Sequence, residues 1–439
     1  MKLAWALGVL LAMAIPFLSP AEGGAGTARV RAALRSGRRG DETNPMDAVA
    51  RNPNVVTAME WMAKNTSWVT EQQIKLTEIP APYFKEEAKS AAYLKLLEGA
   101  GLKTRTDSAG NAIGERAGAD SDQVILLAAH LDTVFPEGTP AKVTRKSGKL
   151  LGPGIADNGA GLSALLGVAM AMDAAKIRTR MTIAFAGDVG EEGEGNLRGI
   201  RTLVQDYGKR LAAVIAVDGA SVDYVATQAL ASQRMEVAIS GPGGHSWTDF
   251  GAPNPITALS RVIVQFTTNA DMPVTPRSSF NFGVIEGGTS VNSIPNRAAV
   301  KVDFRSEDEA EIKKLETTLR EAVRVGVAAE MAAGKRGTEP LQAHFKVIGT
   351  RPGGKLAADS ELMKSINEAD EYLANSAHMQ QSSTDANIPL SLGIPAISIG
   401  GGGLAGGAHS LEEWYDPENR VVGMKRILLT VLGVAGMEK

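Results

Sequence analysis

Cysteine is absent from the 439 residues of this chain. Disulfides, thiolate zinc sites and cysteine nucleophiles are therefore excluded, and any transition metal has to be held by histidine and carboxylate side chains. Histidine is scarce too, with five in the whole sequence, and aromatic residues make up 5%. Neither sign of charge predominates: the net charge is -3 and the isoelectric point lies near 6.1. Such a balance gives no reason to expect nucleic acid or an anionic membrane as partner. Also missing are the GxSxG elbow of serine hydrolases, the HExxH zinc helix and the GxxxxGK[ST] phosphate loop.

One long apolar run is present, and it stands at the start. "MKLAWALGVLLAMAIPFLSPAEGGAG" has Lys2, an apolar stretch to Leu18 and a small-residue site resembling a cleavage site at Ser19-Pro20-Ala21. Residues 1–21 read as a secretory signal peptide, the alternative being an uncleaved membrane anchor. Cleavage would make the protein exported, periplasmic or extracellular, with no stable membrane partner once the segment is gone. Residues 22–45, basic and Gly-rich in "GTARVRAALRSGRRGDETNP", read as a flexible lead-in. An exported chain without cysteine needs a core that holds without disulfides, and this chain is long enough to bury one.

From Met46 to Asn65 the spacing is helical, and the stretch Tyr93 to Leu102 ends a second helix at Gly101. "QVILLAAHLDTV" reads as a buried strand, and "LLGPGIADNGAGLSALLGVAMAMDAA" as a Gly-rich loop opening into an apolar helix. "RMTIAFAGDVGEEGEG" and "LAAVIAVDGAS" are further buried strands that run into polar clusters. The alternation predicts an α/β domain with a mostly parallel central sheet, whose ligands bind outside the carboxyl ends of the strands. After about residue 228 the texture changes: "RMEVAISGPGG", "SSFNFGVIEGG" and "NRAAVKVDFRS" read as exposed, alternating strands. Helices from Pro255 to about Thr268 and from Glu307 to about Ala333 are interleaved with them. The prediction is an α+β domain over residues 229–344, inserted into a catalytic domain made of 46–228 and 345–439.

The polar clusters carry the chemistry. His130 and Asp132 share one side of a strand end, since side chains i and i+2 point the same way. Asp157 follows in "GIADNGAG", Glu191 and Glu192 in "GDVGEEGEG", Asp218 in "AVDGAS" and His409 in "GGAHSLEEWYD". Taken singly, each has a mundane reading: a satisfied core histidine, turn chemistry, a solvated acidic loop, a helix cap. Pooled at one sheet edge, the carboxylates would repel strongly unless cations neutralised them. There are more candidate ligands than one zinc needs. Two metals about 3.5–4 Å apart, sharing a bridging carboxylate and a water, would use the set economically. Adjacent Glu191 and Glu192 suit a split role, one on metal and one free as general base. His130 and Asp132 suit a ligand with a carboxylate that orients its ring.

At this point the chain resembles the M20 family of co-catalytic zinc peptidases, in the group near peptidase T and the glutamate carboxypeptidases. "HLDTV", "GPGIADNGAG", "GEEGEGNLRG", "GGHSW", "NSIPNRA" and "GGAHSLEEW" appear in family order, from about residue 55 onward. The resemblance implies a zinc-exopeptidase-like catalytic domain with an inserted lid and dimerisation domain, and a homodimer paired through that lid. It implies two Zn2+, with Co2+ or Mn2+ as substitutes: His130 and Asp218 on one ion, Glu192 and His409 on the other, Asp157 bridging. By the same resemblance Asp132 supports His130, Glu191 is the general base, and His245 is the lid histidine that reaches an active site to stabilise the oxyanion. Asn292 in "SVNSIPNRA" and Arg351 in "GTRPGG" match substrate-contacting positions, Arg351 as the anchor for a carboxylate, which arginine binds in bidentate pairs. His344 and His378 match no motif.

Two positions depart from the family pattern. Asn158 and Gly159 follow Asp157 where many members carry a second Asp and a Lys. Position 218 is Asp, where carboxypeptidases and deacylases usually carry Glu and the aminopeptidase branch carries Asp. The reading is therefore an exopeptidase acting on short peptides, an aminopeptidase of di- and tripeptides. The alternatives are a carboxypeptidase or N-acyl amino-acid amidohydrolase with the same site, and an inactive homologue that binds peptides or metals.

Overall fold

The computed structural model describes residues 44–335 and 339–438. The segment read as a signal peptide, and the lead-in up to residue 43, lie outside the described residues. Among those described, no helix is long and apolar enough to cross a membrane.

The chain first builds strands β1 (Lys103–Thr106), β2 (Ala112–Arg116), β3 (Asp120–His130), β4 (Met181–Asp188), β5 (Leu211–Val217) and β6 (Tyr224–Ala229). It then leaves for a second sheet of β7 (Ala231–Ser240), β8 (Ser278–Gly287), β9 (Arg297–Ser306) and β10 (Gln342–Arg351). On its return it adds β11 (Gly354–Lys355), β12 (His378–Ser382) and β13 (Ala396–Ile399) to the first. The first sheet runs β1-β2-β4-β3-β5-β13-β6-β11, with β12 beside β6. Its centre is parallel, β4 and β5 flanking β3 and β13 beside β5, while β1, β2 and β11 join antiparallel. Val124 to Ala129 of β3 are buried on both faces, as a parallel strand covered by helices must be. The apolar helix α1 (Gly159–Ala174) packs on β3, β4 and β5.

The inserted sheet is antiparallel, in the order β8-β9-β7-β10. Alternation sorts its two faces. Met235, Val237 and Ile239 of β7 and Val300, Val302 and Phe304 of β9 are buried with helices α2 (Pro255–Asn269) and α3 (Glu309–Ala333). Phe266 of α2 anchors that core, with Phe280 and Phe282 edge-on at 4.9 and 5.4 Å and Phe304 stacked at 5.7 Å. The intervening residues Arg234, Lys301, Asp303 and Arg305 fall on the other face, half-buried.

The α/β fold with a mostly parallel sheet and an inserted α+β lid is as the sequence predicts, and the differences are local. The single helix expected over Met46–Asn65 is two, Pro45–Ala50 and Pro53–Lys64, because Asn52 caps the second by accepting the Asn54 N–H at 2.9 Å and Pro53 starts it. A further helix, Thr66–Thr77, has no apolar stripe to betray it. Its Thr70 and Gln73 are buried because the guanidinium of Arg420, itself buried, bonds to both. All of β10 belongs to the lid sheet, register-paired to β7 up to Arg351. The chain thus re-enters the first sheet at Gly354, later than the change of texture at residue 345 suggests.

Candidate metal centre and active site

Each polar cluster leaves the carboxyl edge of the first sheet. His130 ends β3, the loop carrying Glu191 and Glu192 follows β4, Asp218 follows β5, and the glycine loop leading to His409 follows β13. Asp157 arrives from the loop before α1 and stands between the two histidines: Oδ1 is 3.0 Å from His130 Nε2, and Oδ2 is 3.0 Å from His409 Nε2. Asp218 Oδ1 lies 3.6 Å from His130 Nε2, and Glu192 Oε1 lies 3.0 Å from His409 Nε2. Candidate ligand atoms fall into sets within 4.8 Å of one another: His130 with Asp157 and Asp218, and Asp157 with Glu192 and His409. Asp157 belongs to both, as a bridging carboxylate would. A third set, His130 with Glu191 and Glu192, also meets that spacing. The donors are all imidazole nitrogens and carboxylate oxygens, a chemistry that suits zinc and its borderline neighbours.

Three side chains hold the loops that carry these groups, each by accepting backbone N–H bonds. The buried carboxylate of Asp132 takes the N–H of Glu191 at 3.0 Å on Oδ1 and of Glu192 at 2.8 Å on Oδ2. His130 Nδ1 is nearer to the backbone carbonyl of Asp132, at 3.0 Å, than to its carboxylate, at 3.7 Å. Asp132 therefore orients the ring through its main chain and the acidic loop through its side chain. Glu413, fully buried, accepts the N–H groups of Gly154, Ala156 and Asp157 at 2.9, 2.7 and 2.9 Å. Asn158 Oδ1 accepts from Gly161, capping α1, and from Gly219, while its Nδ2 donates to Val217. The departure from the family pattern at 158 thus ties the Asp157 loop to the Asp218 loop. Glu413 lies inside "GGAHSLEEW", but nothing in its spacing from Asp157 signals the contact.

The charges explain one another. Burial alone would lower the His130 pKa, but hydrogen bonds to Asp157 and Asp218 hold it well above the usual imidazole range. Asp157 and Glu192 push His409 up to about 10. Burial works to raise Asp157, yet its bonds to the two histidines hold it well below the usual carboxylate range. Glu191 is pushed up to about 8, by burial first and by Glu192 as well, with Arg351 pulling the other way.

Arg351 comes from the last residue of β10. Its Nη1 donates to Glu191 Oε1 at 2.7 Å and to the Oγ and backbone carbonyl of Ser383 at 3.2 and 3.3 Å, and its Nη2 donates to the Glu191 carbonyl. The fork expected to meet a substrate carboxylate holds Glu191 in this structure, because two opposite charges buried together pair. His130, Asp157, Asp218, Glu191, Glu192, His409 and Arg351 line one cavity of about 410 Å3, together with Arg234, Arg305 and residues 382–384. Arg234 and Arg305 escaped sequence reasoning, since alternation places them on the polar face of the lid without saying what that face meets.

His245 and Asn292 are brought to each other and not into that cavity. His245 pairs in register with Ser293, and the Ser246 N–H donates to the Asn292 carbonyl at 3.0 Å. His245 is exposed, and its Nδ1 accepts the N–H groups of Trp247 and Thr248 at 3.2 and 3.4 Å. With Nδ1 accepting, Nε2 is the ring nitrogen left to donate.

Comparison with known proteins gives one family. The model of peptidase family M20/M25/M40 matches residues 126–432. Carboxypeptidase G2 of Pseudomonas sp. (strain RS-16) is 29% identical over 230 residues, 48% of this chain and 54% of that protein. Aminopeptidase PepT from Bacillus cereus superposes with a TM-score of 0.66 at 21% identity, over 84% of this chain and 99% of its own. YXEP from Bacillus subtilis, described as a dinuclear metal binding peptidase from the M20 family, superposes with a TM-score of 0.61 at 17% identity, over 86% and 100%. At those identities the likeness of the solved structures is one of fold.

Two outcomes follow from the geometry. Glu413→Ala removes the acceptor for three N–H groups of the Asp157 loop, and metal affinity measured by competition with a chelator should fall about 10- to 100-fold. Unchanged affinity would mean that the loop holds its own shape. Metal ligation needs neutral imidazole, whereas both histidines are held protonated at neutral pH, so metal uptake must expel protons and strengthen as pH rises. Calorimetric titration of metal-free protein with Zn2+, in buffers of different ionisation enthalpy near pH 7, should show release of roughly one proton per histidine. No release would mean that the carboxylates are not holding them.

Proposed function

Because the chain belongs to peptidase family M20/M25/M40, we propose that it is a dinuclear zinc exopeptidase of short peptides, releasing the N-terminal residue of di- and tripeptides. The observation that carries this reading is Asp157 held between His130 and His409, with a buried glutamate beside them that the bridging arrangement leaves over. The residues fit two divalent ions: His130 and Asp218 for one, Glu192 and His409 for the other, Asp157 common to both. Ions held there would supply Lewis acidity to a scissile carbonyl and would lower the pKa of a bound water.

The protein's own groups do the rest. Glu191 is the base: it holds the attacking water, takes its proton at a carboxylate oxygen and passes it to the leaving amine. Burial raises the proton affinity of Glu191 above that of a free carboxylate, which makes it the stronger acceptor for that proton. Arg351 keeps the carboxylate pointed and resists further loss of acidity. His245, with its proton on Nε2, is the oxyanion donor, supplied when lids close or by a second copy paired through the lid. Export through residues 1–21 would place the enzyme in the periplasm or outside the cell.

Aspartate at 218 supports cleavage from the N-terminus, by resemblance to the aminopeptidase branch. A second reading, carboxypeptidase or N-acyl amino-acid amidohydrolase, is favoured by a different observation: Arg234, Arg305 and Arg351 line the cavity, and guanidinium groups bind carboxylates. An inactive binding protein would have no use for a buried glutamate beside the ligands.

Mass spectrometry of the products from one tripeptide of three different residues, with zinc-loaded protein, separates the readings. The expected product is a dipeptide lacking the first residue. A dipeptide lacking the last would move the protein to the carboxypeptidase branch, and no cleavage would turn attention to N-acylated amino acids. Glu191→Gln should lower kcat by about 10²- to 10⁴-fold while metal content stays full. Loss of metal instead would make Glu191 a ligand rather than the base.

A further inference from the structure

Residues 190–196 form the loop that carries the proposed base, and the two domains grip it from opposite sides. From the catalytic domain, Asp132 accepts the N–H groups of Glu191 and Glu192. From the lid come three cations, one on each of three strands. Arg351 of β10 donates to the carbonyl and carboxylate of Glu191. Arg234 of β7 donates through Nη1 to the carbonyl of Gly193, and through Nε to Asp303 Oδ1 of β9 at 3.2 Å. Lys301 of β9 reaches Glu194 Oε1 at 3.3 Å. Asn196 Oδ1 accepts the N–H of Thr350, and Arg201 donates to the Thr350 carbonyl, at 2.8 and 2.5 Å.

We propose that Arg234 is a positioning residue that latches the base-bearing loop to the lid, so that the placement of Glu191 depends on where the lid stands. The inference rests on the reading of Glu191 as base. The loop cannot hold its shape by regular structure: Gly190, Gly193, Asn196 and Leu197 all adopt left-handed backbone, with φ of 69, 54, 55 and 59°. Only a three-residue 3-10 turn, Gly193–Gly195, lies between them. The Glu192 carbonyl finds a donor in the Gly195 N–H and the Asn196 carbonyl in Arg201, whereas the carbonyls of Glu191 and Gly193 take theirs from Arg351 and Arg234 of the lid.

Arg234 differs from its two neighbours. Lys301 and Glu194 are both substantially exposed, a pair whose contribution is small and screened by salt. Arg351 acts on Glu191 itself. Arg234 bonds to neither a ligand nor the base, but to main chain beside them, and Asp303 fixes its guanidinium from the second strand. A planar fork can bridge carbonyl and carboxylate at once, whereas a lysine ammonium has one compact charge to divide between them.

The test compares Arg234→Met and Arg234→Lys with the parent chain, all zinc-loaded, by hydrogen–deuterium exchange over residues 189–197 and by kinetics on the tripeptide. The expected result for Arg234→Met is exchange in that segment faster by about tenfold, unchanged exchange in α2 and α3, and full metal content. With it goes a fall in kcat of about tenfold to a hundredfold, the cost of a displaced catalytic group, with KM little changed. Arg234→Lys should recover part of both. Unchanged exchange in the loop overturns the proposal, whatever the kinetics. So does a rise in KM at constant kcat, which would make Arg234 a substrate contact, or faster exchange throughout the lid, which would make it a general support. If the tripeptide is not a substrate at all, the exchange measurement still decides whether the latch exists, and only the identity of the reaction is in question.

Discussion

Like charges crowded at one buried sheet edge are the constraint from which the rest of this structure follows. Asp157, Asp218, Glu191 and Glu192 share a single cavity, the two glutamates buried and the two aspartates half-buried, so solvent screens their repulsion only in part. Two histidines offset part of the repulsion by staying protonated between the carboxylates, and Arg351 offsets part of it at Glu191. What the protein supplies is a set of imidazole and carboxylate groups spaced as candidate ligands for metal ions.

A cluster under that strain needs its loops fixed, and they are fixed through backbone amides. Asp132, Asn158 and Glu413 each accept main-chain N–H groups from a loop that carries a candidate ligand or the proposed base. The arrangement has an electrostatic logic as well as a geometric one. An N–H donor satisfies a buried carboxylate without adding a competing side-chain cation, so Asp132 and Glu413 can sit beside the site without drawing a lysine or arginine into it. Glu413 shows the balance: burial raises its pKa, and bonds from Asp157, Gly154 and Ala156 act against that rise.

These two layers differ in how visible they are in sequence. His130, Glu192, Asp218 and His409 each end or follow a strand whose apolar run is plain, so their meeting at one edge can be read from strand ends, and Asp157 joins them from the Gly-rich loop before α1. The α/β class follows from the same runs, and the lid from its change to alternation. Glu413 and Asp157 are joined across most of the chain, and no local pattern encodes such a contact. Arg351 was visible as a residue but not in its partner: an arginine that meets a substrate carboxylate and one that meets Glu191 look identical in "GTRPGG". The helix Thr66–Thr77 was hidden for a related reason. Its buried face mixes apolar Val69 and Leu76 with Thr70, Gln72 and Gln73, and the polar part is built around Arg420.

The lid, in turn, is more than a cover. A sheet with one apolar face must bury that face, and α2 and α3 do so completely within the insertion. The opposite face is then free to be chosen for chemistry, and it carries Arg234, Lys301, Asp303 and Arg305 toward a catalytic loop rich in glutamate. Charge complementarity between that face and that loop links the two domains without an apolar seam. A seam of this kind is cheap to open in water and strong only when desolvated. It also leaves Glu191 held from both domains, by Asp132 on one and Arg351 on the other.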